Sequence, residues 1–110
     1  MADGSRDLVQ GTLDMLILKT LALEPMHGYG VAVRIEQISR GVFRVNPGSL
    51  FVAFQRLKRA GLIRSEWKAT ENNRRAKYYS LTERGRQKLG NETREWERQV
   101  AAITRILEVS

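Results

Sequence analysis

The stretch from Gly61 to Arg86, GLIRSEWKATENNRRAKYYSLTERGR, changes its periodicity twice, and what lies on either side of it decides the fold. In LIRSEWK the apolar Ile63 and Trp67 alternate with Arg64, Glu66 and Lys68, the alternation of a half-buried strand. Trp67 is expected to face inward beside Ile63 and join the core. After the polar segment ATENNRR, β-formers return in AKYYSL, from Ala76 to Leu81. The two runs predict a hairpin whose loop is too long for a tight turn, with Asn72 and Asn73 able to take positive φ at its tip. From Thr82 a helical pattern resumes and continues nearly to the end of the chain.

Ahead of the hairpin, three helices are legible. From Leu8 to Leu23, Leu13, Leu16, Ile17 and Leu21 recur at helical spacing, and the pattern stops before Pro25, which disfavours helix in the residue preceding it. In HGYGVAVRIEQIS, from His27 to Ser39, Val31, Ile35 and Ile38 share one face while Arg34 and Gln37 lie away from it. Asn46 followed by Pro47 is a helix start: a capping side chain, then a residue whose missing N–H costs nothing in the first turn. That third helix carries Leu50, Phe54 and Leu57 on its inner face, and Gly61 is placed to end it in a left-handed conformation.

Three helices, a hairpin and a long last helix predict a mostly α fold with a small β-hairpin. It is a winged helix-turn-helix over residues 1–81, followed by a C-terminal dimerisation helix over residues 82–110. In that fold the third helix enters the DNA major groove and the hairpin follows the backbone. The hairpin's Arg64, Lys68, Arg74, Arg75 and Lys77 would then meet phosphates, with Asn73 at the tip. Sequence would be read by the outer face of the third helix, which holds Gly48, Ser49, Val52, Gln55, Arg56 and Arg59. Ser49, Gln55 and Arg56 are the leading candidates there: a hydroxyl suits a base edge or a phosphate, and an amide suits an adenine edge.

The charge supports this reading. The chain of 110 residues carries a net charge of +7, and residues 47–81 alone hold eight cations against two anions. Clustering of one sign is the footprint of phosphate neutralisation, whereas charges spread for solubility are mixed. A 42% hydrophobic and 28% charged composition is that of one ordinary folded domain. The absence of cysteine excludes disulfides and thiolate metal sites and suits a reducing cytoplasm. The longest apolar run, MLILKTLALEPM, is broken by Lys19, Glu24 and Pro25, so no membrane span or leader is expected. With no phosphate loop, no paired nucleophile and base, and no metal-ligand cluster, neither enzymatic activity nor a cofactor or metal is expected.

LILKTLALEPMHGYGVAVRI, PGSLFVAFQRLKRAGLI and RRAKYYSLTERGRQKL resemble the PadR family of bacterial transcriptional regulators, over residues 8 to about 96. The specific signal is the ordered combination of His27-Gly28-Tyr29, the Gly48–Leu57 helix, Gly61-Leu62-Ile63 and Tyr79-Ser80-Leu81-Thr82. The resemblance implies a homodimeric repressor of the short form, with a single C-terminal dimerisation helix. Some members similar to this chain release DNA when a phenolic or drug-like molecule binds. The sequence departs from the family at Phe51-Val52-Ala53-Phe54, where Tyr-Pro-Ala-Leu is usual, so a hydroxyl is missing from the third helix.

The last helix points to a dimer without help from that resemblance. Leu89, Thr93, Trp96, Val100, Ile103 and Leu107 are separated by 4, 3, 4, 3 and 4 residues, the seam of a helix that packs along another. Such a stripe would be exposed in a monomer, and Leu8, Val9 and Met15 of the first helix are candidates to clasp the partner's last helix. A two-fold dimer implies a palindromic operator with half-sites about one helical turn apart, or a multiple of it. The resemblance places Trp96 where a planar aromatic effector would stack at the dimer interface; plain packing is the other reading of the same spacing. His27 is expected to cap or pack at the start of the second helix, and Gly28, Gly30 and Gly85 to allow close backbone approach. Two further readings compete with the DNA regulator. One is a winged-helix protein-interaction module that binds an acidic partner, and the other a small-molecule binder in which the wing's cations go unused.

Overall fold

A computed structural model describes residues 10–110, in the order α1 Gln10–Leu23, β1 Met26–His27, α2 Gly28–Ile38, α3 Pro47–Arg59, β2 Ile63–Ala69, β3 Arg75–Leu81 and α4 Glu83–Glu108. Leu8 and Val9, read as the start of the first helix and part of its clasp, lie outside the described residues. In α1, Leu13, Ile17, Leu18 and Leu21 are all buried, because the helix is enclosed by α2, α3, α4 and β3 and therefore has no broad polar face. Thr20, buried and polar, is satisfied by donating its hydroxyl to the Leu16 carbonyl at 2.7 Å.

The helix boundaries follow their local signals. His27 caps α2, its Nδ1 accepting from the Gly30 N–H at 3.0 Å. Asn46 caps α3, its Oδ1 accepting from the N–H groups of Gly48 and Ser49 at 2.7 and 3.2 Å. Gly61, at φ +78°, closes α3 with paired bonds from Gly61 N–H to Lys58 and from Leu62 N–H to Leu57, both 3.0 Å. Leu50, Ala53, Phe54 and Leu57 face the core. Ile38 does not: it is 61% exposed, because the chain turns away through Arg40 and Gly41, both at positive φ, before anything packs on the last turn of α2.

The sheet has three strands in the order β1-β3-β2, all antiparallel. β1 was not legible, since two residues have no period; it exists because Met26 and His27 pair with Tyr79 and Tyr78 along the outer edge of β3. In the hairpin, Ile63 pairs with Leu81, Ser65 with Tyr79, Trp67 with Lys77 and Ala69 with Arg75. These pairs share the face that turns toward α3, where Tyr79 stacks on Phe54 with ring centroids 4.2 Å apart. Trp67 lies on that face as expected but is 56% exposed, not core. At its level the hairpin has run out beyond the helices, and the Arg75 and Lys77 head groups lie 5.6 and 5.8 Å from its ring centroid.

Thr82 joins the wing to α4. Its N–H donates to Leu62 O at 3.1 Å, its hydroxyl donates to Gly61 O at 2.8 Å, and the same oxygen accepts from the Gly85 N–H at 3.0 Å. Leu89 packs against the chain's own core. With 26 residues α4 is roughly 39 Å long at 1.5 Å per residue, so its later turns project from the head of a molecule 59 × 32 × 21 Å in extent.

Candidate nucleic-acid interface

Because α3 buries Leu50, Ala53, Phe54 and Leu57, its opposite side is set: Gly48, Ser49, Phe51, Val52, Gln55, Lys58 and Arg59 are exposed. Arg56, Lys58 and Arg59 occupy the last turn, where cations complement the carbonyl end of the helix. Two of the expected reading residues, Ser49 and Gln55, and the cation Arg59 are free on this surface. Arg56 is not. Its guanidinium ion-pairs with Asp14 of α1, and its side chain is only partly accessible. Burial raises the Asp14 carboxyl above its ordinary value, outweighing the opposing pull of Arg56. Lys58 was overlooked although it follows Gln55 at helical spacing and so belongs to the same exposed stripe.

The wing's cations are divided by the register. Arg64 and Lys68 alternate with the α3-facing residues and so lie on the far face; Lys68 sits 5.5 Å from the Tyr78 ring centroid and 4.0 Å from the Glu66 carboxylate. Arg75 and Lys77 lie on the face toward α3. Arg74 is at the loop, where Thr70 N–H donates to Arg74 O at 2.6 Å and Asn73 N–H to Thr70 O at 2.9 Å. Asn73 makes the tip with φ 64°, a conformation its short amide tolerates; Asn72 does not share it.

A cleft of about 760 Å³ separates the wing from α2 and α3. Pro47 and Phe51 border it from the first turns of α3, and Arg74, Arg75 and Lys77 line the opposing wall, whereas Ser49 and Val52 border a separate recess beside Leu13 and Arg56. On α4, Trp96 is 46% exposed, Ile103 53% and Leu107 78%, with Val100 intermediate; Ile106, and Val109 just past the helix end, add apolar surface not counted in the seam. Among the described residues no group of His, Cys, Asp and Glu could hold a metal ion, and no helix is long and apolar enough to cross a membrane.

A three-helix head whose last helix is exposed along one side, flanked by a cationic hairpin, defines a winged helix-turn-helix protein of the transcription-regulator class. The chain belongs to the PadR-like family of transcriptional regulators, whose family model matches residues 17–91. A transcriptional regulator from Clostridium thermocellum is 26% identical and superposes with a TM-score of 0.84, covering 94% of this chain and 100% of that one. A PadR family transcriptional regulator from Eggerthella lenta is 28% identical with a TM-score of 0.76, covering 92% of this chain and 86% of that one. A 37.1 kDa protein carried in a transposon of Streptomyces fradiae is 40% identical over 78 residues, which span 71% of this chain and 21% of that protein. PadR family members are transcriptional regulators and not enzymes.

Proposed function

We propose that this chain is a homodimeric, sequence-specific DNA-binding repressor, with residues 1–81 as the DNA-binding unit, residues 82–110 as the dimerisation helix, and a planar aromatic effector releasing the DNA. The observation that carries the proposal is the exposed stripe of α3 in a head whose cationic wing, with Arg74, Arg75 and Lys77, faces the first turns of the same helix at Pro47 and Phe51. Ser49 and Gln55 read base edges, with Arg59 on a flanking phosphate; Asn73 shapes the tip of the wing, and Arg74, Arg75 and Lys77 neutralise phosphates. Lys68, on the far face, reaches the backbone only where the duplex curves around the wing. Arg56 acts by holding α3 against α1 through Asp14 and not by direct contact.

Dimerisation runs along α4 through Trp96, Val100, Ile103 and Leu107. Each large side chain fully buried there is worth roughly 1.5 to 3 kcal/mol, enough for a few such pairs to hold two chains together. Leu89 serves the chain's own core, so the seam begins near Trp96. The effector stacks on Trp96 at that interface, supported by the ring's exposure at the start of the seam.

The test is an electrophoretic mobility shift with the duplex upstream of the protein's own gene against unrelated competitor duplex. A shift that survives competitor is expected, with an operator of two inverted half-sites. A shift that competitor abolishes would refute sequence-specific reading. No binding at low salt would favour the protein-interaction module over the regulator reading.

A further inference from the structure

Val52 occupies the middle of the side of α3 that the core leaves open. With about 3.6 residues per turn, Gly48, Val52, Gln55 and Arg59 point away from the buried Leu50, Ala53, Phe54 and Leu57. Of those four outward residues only Val52 has an apolar side chain, and it is 59% exposed. A β-branched residue is a poor choice for an exposed helix position, and this one does not join the core, so neither helix propensity nor packing accounts for it. Its surroundings stay clear. Gly48 lies one turn earlier with no side chain, and among the described residues a Cβ added there would meet only Asn46 Oδ1, at 3.1 Å. Arg56 is drawn aside to Asp14. Together these residues border an open recess of about 520 Å³ between α1 and α3, with the buried Leu13 and Ala53 at its floor. An apolar patch is thus set among the polar Ser49, Gln55 and Arg59.

We propose that Val52 is a specificity-determining residue that reads the C5-methyl group of one thymine in each half-site of the operator. The inference rests on the regulator reading above. On the major-groove edges of the base pairs the thymine methyl is the one apolar group among donors and acceptors. Hydrogen bonds from Ser49 and Gln55 do not sense it; an exposed isopropyl group does, by removing the methyl and itself from water together. Gly48 lets the base edge come close to the helix, within the N-terminal turns that lie deepest in the groove. Phe51 is equally exposed but turns with Pro47 toward the wing cleft, which makes it the control. Phe51 and Val52 are the two exposed positions at which the chain departs from the family pattern, so the contact is particular to this chain. Because Val52 senses the methyl and not the exocyclic groups, methylation of a cytosine placed at the same position has the same effect.

The test is fluorescence anisotropy on the duplex from upstream of the protein's own gene that survives competitor. Each thymine and its symmetry mate are replaced by deoxyuridine, which removes only the methyl. At one thymine per half-site the replacement should weaken binding about fourfold in one half-site and about fifteenfold in both. Val52→Ala, whose melting curve reports that it folds, should bind the thymine and deoxyuridine duplexes equally, while Phe51→Ala keeps the discrimination. With cytosine at that position, 5-methylcytosine should bind about fourfold more tightly than cytosine in the wild type and no more tightly in Val52→Ala. Tolerance of deoxyuridine at every thymine of a specifically bound operator would overturn the methyl contact and leave the regulator reading standing. Discrimination undiminished in Val52→Ala would overturn its assignment to Val52. Absence of any binding that survives competitor would refute the regulator reading, and the methyl contact with it.

Discussion

Two glycines on one helix should respond to alanine in opposite directions. At Gly85 an added Cβ would lie 2.1 Å from the Leu62 carbonyl oxygen, 2.7 Å from Leu81 Cδ1 and 3.1 Å from the Leu62 carbonyl carbon. An ordinary carbon–oxygen contact is about 3.3 Å, so the first turn of α4 must retreat by about 1 Å. It has little room to do so. Leu62 is buried, its carbonyl accepts the Thr82 N–H, and Gly85 itself donates to Thr82 Oγ1. Overpacking against such atoms costs about 1 to 3 kcal/mol, only partly offset by the gain of about 0.5 to 1 kcal/mol that alanine brings inside a helix. A net loss of about 1 to 2 kcal/mol corresponds to a melting temperature lower by about 4 to 16 °C for a domain of this size. At Gly90 the nearest atom to an added Cβ is the Arg94 guanidinium at 3.6 Å, an ordinary contact with a flexible side chain. Gly90→Ala should therefore raise the melting temperature by a few degrees, about 2 to 8 °C. Far-UV circular dichroism melts at one fixed protein concentration check both, since a dimer's melting depends on concentration. Gly85→Ala melting at or above the wild-type temperature would refute the close-approach reasoning.

Three further outcomes are expected. Thr82→Val removes the hydroxyl that links Gly61 O to the Gly85 N–H and should cost about 1 to 2 kcal/mol in a urea titration, with an unchanged m-value. Asp14→Asn should release Arg56 toward solvent and steepen the salt dependence of duplex binding by about one phosphate contact per chain. Because burial raises the Asp14 carboxyl, the folded state holds its proton more tightly than the unfolded chain. Wild-type stability measured against Asp14→Asn should therefore fall as pH rises from the ordinary value of 3.8 through the raised one, read by urea titrations across that range. Paired Arg74→Ala and Arg75→Ala substitutions should weaken binding to all duplexes alike and lower the slope of log K against log salt by about 3.6 in the dimer. Gln55→Ala should instead change the preference at one base pair by about 1 to 3 kcal/mol, both read by fluorescence anisotropy.

Most of the architecture was legible because its signals are local. Asn46-Pro47, Gly61 and Thr82 each start or stop a helix through bonds made within a few residues, and each does so in the structure. The alternation around Ile63 and the seam along α4 rest on periodicity, which any helix or strand must respect. The failures share a different cause. Ile38 and Trp67 obeyed the pattern of buried faces yet stand exposed, because a pattern specifies which side a residue takes but not whether another element reaches it. β1 escaped notice because a two-residue strand is created by its partner.

The candidate site divides in the same way. Charge density along the chain marked the wing, and the cap at Asn46 with the apolar face of α3 marked most of the exposed stripe, so sequence alone determined the winged-helix order and which side of α3 stays open. It could not pair Arg56 with Asp14, 42 positions earlier, or sort Arg75 and Lys77 from Arg64 and Lys68, since the first depends on how α1 crosses α3 and the second on strand register against β3. Nor could it show a cleft whose walls come from three separate elements. Local hydrogen bonding and side-chain period are written in consecutive residues; which cations are spent on the protein itself, and which remain free for a ligand, is decided only when distant segments pack.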